Sequence, residues 1–177
     1  MATSTSIYEP AEDSFLLSNA IKKYCKISKI KNVLEIGCGS GFNLNTLKKL
    51  KVKKILGCDV NPSAIKHCKK LGFNCVKSDL FNNINEKFDL IIFNPPYLPE
   101  DKNEPKESRL ATTGGKYGSS IINKFLKNAK KHLNKNGKIL LLTSSLTKNI
   151  NWQNFKKKKL LSKKLFFEEL CVWELVI

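Results

Sequence analysis

The sequence predicts an α/β domain, with seven strands in a mostly parallel sheet, helices on both faces and an antiparallel hairpin at the C-terminus. Three observations carry that prediction. Short apolar runs alternate with amphipathic segments, the pattern of strand-helix-strand units. The first run leads into a glycine-rich turn that opens a helix. The tail holds two strand-like stretches with almost no loop between them, too close for a parallel crossover.

A helix is expected first, over residues 10–26. Pro10 suits a first turn, Glu12 and Asp13 complement the helix N-terminus, and Phe15, Leu17, Ile21 and Tyr24 recur at helical spacing. Strands follow over 32–36, 54–58, 73–77, 88–93 and 138–143. Helices intervene over 42–50, 62–71 and 119–133, the last ended by Asn136-Gly137. Residues 160–166 and 169–177 form the terminal hairpin.

At 177 residues and 41% hydrophobic composition the chain fits one domain, residues 1–177, with a sizeable core. No apolar run is long enough to span a membrane, and Met1-Ala2-Thr3-Ser4-Thr5-Ser6 lacks the basic and apolar regions of a signal peptide. A cytoplasmic protein is the expectation. Six cysteines show no C-x-x-C pair and no histidine at ligand spacing, which points to buried free thiols in a reducing compartment and to no metal site. His67 and Cys68 are expected at solvated helix positions. Trp152 and Trp173 are expected to pack in helical and strand contexts respectively.

The net charge is +17, and 31 of the 32 basic residues are lysine, Arg109 being the exception. Residues 116–164 hold 14 lysines and no Asp or Glu, so compositional bias alone does not account for the excess. Either this is a solvated face or it attracts nucleic acid, RNA included, over about a Debye length. Lys156-Lys157-Lys158-Lys159 is read as solvated lysine between the last helix and the sixth strand.

The strongest local signal is Glu35-Ile36-Gly37-Cys38-Gly39-Ser40-Gly41 after a buried strand. Glycines let the backbone take positive φ and let a ligand approach the main chain. The spacing is G-x-G-x-G with an acid two residues upstream, which would repel a pyrophosphate. Asp59 ends the next strand, where a carboxylate accepts ribose hydroxyls, and Asp79 in Ser78-Asp79-Leu80 ends the one after, placed for an exocyclic amine. Three acids at successive strand ends describe a pocket for a cationic nucleoside.

The fourth strand ends in Asn94-Pro95-Pro96-Tyr97. Two prolines stiffen this turn, so the Asn94 side-chain carbonyl and the Pro95 main-chain carbonyl can accept both hydrogens of one planar NH2 while Tyr97 stacks on it. Such a nitrogen is a poor nucleophile, and preorganised acceptors with in-line positioning supply the catalysis.

The acid-glycine-acid order resembles the class I S-adenosylmethionine-dependent methyltransferases, with their Rossmann-like sheet, over essentially the whole chain. Asn94-Pro95-Pro96-Tyr97 resembles those acting on planar nitrogen. Tyr8-Glu9-Pro10-Ala11-Glu12-Asp13-Ser14-Phe15 and Gly114-Gly115-Lys116-Tyr117-Gly118 are similar to the archaeal and eukaryotic branch of the HemK family, the release-factor glutamine N5-methyltransferases. The bacterial branch adds an N-terminal helical domain, for which this chain has no room.

The resemblance implies S-adenosyl-L-methionine as methyl donor, with S-adenosyl-L-homocysteine as product. It places Ser14, Glu35, Gly37, Gly39, Asp59, Asp79, Leu80 and Asn94 around the cofactor, and Asn94, Pro95 and Tyr97 around the target amide. It further implies a role in translation termination and a small zinc-binding activator protein docked along the exposed third strand. Residues 98–113 depart from the family pattern, and a mobile lid is expected there. Two other functions fit less well. Methylation of an exocyclic amine of adenine or guanine in DNA or RNA lacks a target-recognition domain, and a non-catalytic cofactor-binding scaffold has no use for the Asn94 turn.

Overall fold

A computed structural model describes residues 7–177. The expectation that residues 1–6 carry no export signal lies outside them. Seven strands, β1 (Asn32–Ile36), β2 (Lys54–Asp59), β3 (Cys75–Lys77), β4 (Phe88–Phe93), β5 (Leu133–Ser144), β6 (Lys156–Leu165) and β7 (Glu168–Val176), form one sheet in the order β3-β2-β1-β4-β5-β7-β6. The first five run parallel, and β7 pairs antiparallel with both β5 and β6. The helices are α1 (Glu12–Ile27), α2 (Phe42–Lys49), α3 (Pro62–Lys70), α4 (Lys106–Thr112) and α5 (Ser120–Ala129).

Strand alternation sorts the core into two layers. Val33, Leu90, Ile92, Leu140 and Leu142 face α1, which buries Leu16, Leu17, Ala20, Ile21 and Tyr24 against them. Leu34, Ile36, Ile91, Phe93, Ile139 and Leu141 face the opposite way, onto Ile122, Phe125, Leu126 and Ala129 of α5. With both faces covered, the central strands are apolar on both sides, and each fully buried Leu, Ile or Phe contributes roughly 1.5–3 kcal/mol. Phe15 departs from the expected stripe: it is exposed and meets Phe42 edge-on at 5.4 Å.

The predicted fold class is the observed one, and the differences are local. The 73–77 strand begins only at Cys75, because Gly72 turns the chain at φ +80° and Phe73 packs onto the small cluster beneath α3. The last helix stops at Ala129 and tightens into a 3-10 turn over Lys130–His132. Asn136-Gly137 does not end that helix; it lies inside β5, where Asn136 at φ +67° accompanies a register shift against β4. Lys156-Lys157-Lys158-Lys159 belongs to β6 itself and is exposed, as expected of solvated lysines. Trp152 sits in a turn, not a helix, meeting Trp173 at 5.6 Å, with the Lys157 ammonium 4.2 Å from its ring centre.

All six cysteines are free, five of them buried and Cys25 half-buried. Cys68 is not solvated: it turns inward from α3 and is fully buried, while neighbouring His67 is half-buried. Among the described residues no helix is long and apolar enough to cross a membrane.

Candidate active site

Parallel pairing brings the C-terminal ends of β1, β2, β3 and β4 to one edge of the sheet, where a ligand crevice forms in such folds. The cavity there is lined by Ser14, Glu35, Gly37, Gly39, Asp59, Asp79, Leu80, Asn94 and Pro95. Nine of the ten predicted site residues thus meet. The tenth, Tyr97, stands behind the wall: its ring is half-buried against both core layers and its hydroxyl points to Asp13 at 3.4 Å.

The glycine turn takes positive φ at Gly37, Gly39 and Gly41, so its amides can point inward. Asp59 holds that turn in place, accepting from the Gly39 amide at 2.9 Å and the Asn61 amide at 2.8 Å. Burial raises the Asp59 carboxyl, and these amides partly offset that. Asp79 is exposed and pairs with Lys124 at 2.6 Å, so a bound amine must share or displace that lysine.

Asp13, which sequence reasoning assigned only to the helix dipole, is the centre of the polar network. It is 4% exposed. One oxygen accepts from the Ser14 amide at 2.6 Å and the Ser14 hydroxyl at 3.2 Å. The other accepts from Asn94 Nδ2 at 3.0 Å, with the Tyr8 hydroxyl at 3.1 Å. That Asp13 oxygen accepts from the Asn94 NH2, and the bond fixes which way the Asn94 amide faces. The NH2 is committed to Asp13, and the carbonyl Oδ1 is left buried without a partner. Burial, with Asp13 next, pushes the Tyr8 and Tyr97 phenols up, which keeps both as donors.

The side-chain acceptors left unpaired in the cavity wall are Glu35 Oε2, Asn43 Oδ1 and Asn94 Oδ1. Leaving a buried acceptor unmet costs about 1–3 kcal/mol, so the site demands a ligand rich in donors and positive charge. S-adenosylmethionine, with ammonium, sulfonium, ribose hydroxyls and an adenine amine, fits that demand. Tyr8, Asn43 and Leu110 also line the cavity and were not anticipated.

Burial pushes the Glu35 carboxyl from its usual 4.5 up to about 8. The folded value lies above the unfolded one, so between these limits the native state holds a proton that the unfolded chain has lost. Ligand-free stability is therefore full below about pH 4.5 and declines as pH rises to about 8. Urea midpoints should fall across that window, and Glu35→Gln should remove that part of the slope. An unchanged slope in the variant would contradict a buried, protonated Glu35.

The 98–113 stretch is tied at its base, where the Leu98 amide donates to Thr112 O at 2.9 Å and the Gly114 amide to Leu98 O at 2.9 Å. Glu104 accepts from Ser108, Thr112 and Thr113 inside it. Gly114 and Gly118 follow. A methyl on Gly114 would stand 2.5 Å from the Pro96 carbonyl oxygen, and one on Gly118 would overlap the Tyr97 carbonyl oxygen. The G-G-x-x-G motif is thus the surface against which the Asn94 turn is laid.

Residues 12–165 match the methyltransferase small domain family. A putative protein N5-glutamine methyltransferase of Methanocaldococcus jannaschii is 43% identical over 149 residues, covering 80% of this chain and 74% of that protein. The catalytic subunit of an eRF1 methyltransferase of Schizosaccharomyces pombe is 35% identical over 160 residues, covering 74% and 69%. The crystal structure of a ribosomal protein L11 methylase from Lactobacillus delbrueckii shares the fold, with a TM-score of 0.65, 16% identity and coverage of 95% and 80%. A cavity that asks for donors and cations, the acid-glycine turn and these relatives agree, and the chain belongs to the methyltransferase small domain family, in its HemK branch of archaeal and eukaryotic type.

Proposed function

We propose that this chain methylates the side-chain amide nitrogen of a glutamine in a class I peptide-chain release factor, residues 1–177 acting as one class I methyltransferase domain. The observation that carries this reading is the Asn94 carbonyl, buried, unpartnered and oriented by Asp13. The relatives named for glutamine and eRF1 methylation support the substrate.

S-adenosylmethionine bound in this cavity would supply an electrophilic methyl group, with S-adenosylhomocysteine as the product. Ser14, Glu35, Gly37, Gly39, Asp59, Asp79, Leu80 and Asn94 hold it. The Asn94 and Pro95 carbonyls accept the two amide hydrogens, which fixes the nitrogen and favours the positive charge that builds on it as the methyl arrives; one of these hydrogens then leaves as a proton to solvent, giving the neutral N-methyl amide. Asp13 is a positioning residue, keeping Asn94 Oδ1 toward the substrate. Tyr97 braces the turn from behind the cavity wall through its hydroxyl bond to Asp13, a supporting role in place of the stacking expected from the sequence. The 98–113 segment, whose Leu110 and Ala111 line the cavity, acts as a lid. Hydrogen exchange that is equal with and without ligands would contradict this.

A release-factor substrate places the reaction in the cytoplasm. Strand β3 lies at the sheet edge with one side unpaired, and a small zinc-binding activator completes it there, protecting the edge. A stable, active monomer would remove that partner. The exposed lysines of β6 give RNA a contact on the opposite edge.

The test is transfer of labelled methyl from S-adenosylmethionine to a release factor, to duplex DNA and to total RNA in separate reactions, with and without a co-expressed activator. Label in the release factor alone is expected. Label confined to nucleic acid would overturn the reading.

A further inference from the structure

Three cysteines scattered in the sequence are gathered by the fold. Cys38 lies inside the glycine turn after β1, Cys68 in the last turns of α3, and Cys75 opens β3; their sulfurs lie within 4.8 Å of one another. They are 4%, 0% and 1% exposed, and no disulfide joins them. Two glycines make room for the sulfurs. A methyl on Gly57 would stand 2.9 Å from Cys75 Sγ, and one on Gly41 would stand 3.1 Å from Cys68 Sγ. The Cys68 thiol also donates to the Gly39 carbonyl at 3.4 Å.

Ordinary burial of small apolar side chains does not require three thiols to converge. With no two sulfurs more than 4.8 Å apart, a central point lies within about 2.8 Å of all three, so each need move by no more than about 0.5 Å to reach the roughly 2.3 Å of a metal-thiolate bond. The geometry points to a three-thiolate site for a soft monovalent ion, Cu(I), built by Cys38, Cys68 and Cys75. An all-sulfur donor set selects soft ions. A structural zinc ion takes four ligands, and among the described residues this group holds three sulfurs with no histidine or carboxylate joining them. Binding releases thiol protons, one for each thiolate formed. Occupancy ties the cofactor turn to α3 and β3 through Cys38, which sits between Gly37 and Gly39. The site is independent of which substrate the enzyme methylates.

The test is anaerobic titration of the full chain with Cu(I) against a chromophoric Cu(I) chelator, then copper-edge X-ray absorption on the loaded wild type. One tightly held equivalent with three sulfur neighbours at about 2.3 Å is expected. Cys68→Ser should weaken retention by more than the roughly 100-fold that outer-sphere changes cost, while the double variant Cys25→Ser, Cys171→Ser retains copper as wild type does. Circular dichroism checks that each variant folds. The wild-type absorption spectrum decides the matter even if Cys68→Ser does not fold. Copper held by nitrogen or oxygen, or retained equally by folded Cys68→Ser, would overturn the site. Zn(II) held more tightly than Cu(I) would overturn the choice of ion.

Discussion

Asn94→Ala should lower kcat about 100- to 1000-fold, the effect of removing one preorganised polar group from a reacting centre. Affinity for S-adenosylhomocysteine, measured by calorimetry, should change far less, because Glu35, Asp59 and the glycine turn remain. Asp13→Asn is the informative companion. An asparagine at 13 keeps its carbonyl on the Ser14 amide and turns its NH2 to Asn94, so the Asn94 NH2 loses its acceptor and the amide its direction. The expected result is a kcat loss of about 10- to 100-fold with little change in KM, and thermal stability close to wild type. Asp13→Asn with full kcat would show that the Asp13 to Asn94 bond at 3.0 Å does no positioning.

Gly118→Ala should be strongly destabilising for a change of one methyl group. Gly118 lies at φ +74°, and its added methyl would overlap the Tyr97 carbonyl oxygen, which also accepts from Thr147 Oγ1 at 2.9 Å. Left-handed backbone at a non-glycine residue costs about 1–3 kcal/mol, and the displaced carbonyl loses its partner at a cost of similar size. A loss of about 3 kcal/mol and a Tm lower by about 6–12 °C follow for a domain of this size. Methyl transfer should fall further than the melting temperature alone explains, because the Asn94 turn itself moves. Lys116→Ala, in the same motif, should stay within about 0.5 kcal/mol of wild type. Equal stabilities for Gly118→Ala and Lys116→Ala would contradict the packing described.

The parallel half of the sheet was legible because each strand there is an uninterrupted apolar run covered on both faces, as in Leu90-Ile91-Ile92-Phe93. The bulge at Asn136 was not, since Asn-Gly punctuates a helix end and a strand kink alike. The meeting of Glu35, Asp59 and Asp79 in one cavity was legible from their order along the chain. Asp13 was visible too, had its register been followed. Asp13, Leu17, Ile21 and Tyr24 share one helical stripe, and an acid on an apolar stripe is either an error or a functional group. The thiol cluster was hidden for another reason: its members come from three elements whose approach depends on tertiary packing, which spacing rules do not see. The short helix α4 escaped because its charged sequence has no apolar periodicity.

The strand order has a bearing on synthesis at the ribosome. β6 bonds only to β7, yet β7 is made after β6 and fits between β5 and β6. Until β7 emerges, β6 is a ten-residue strand with no partner on either side. Six of its ten residues are lysine, and like charges along a waiting strand deter it from pairing with a neighbouring nascent chain. The lysines that a reader of the folded sheet would assign to a binding face thus also guard the strand before its partner arrives.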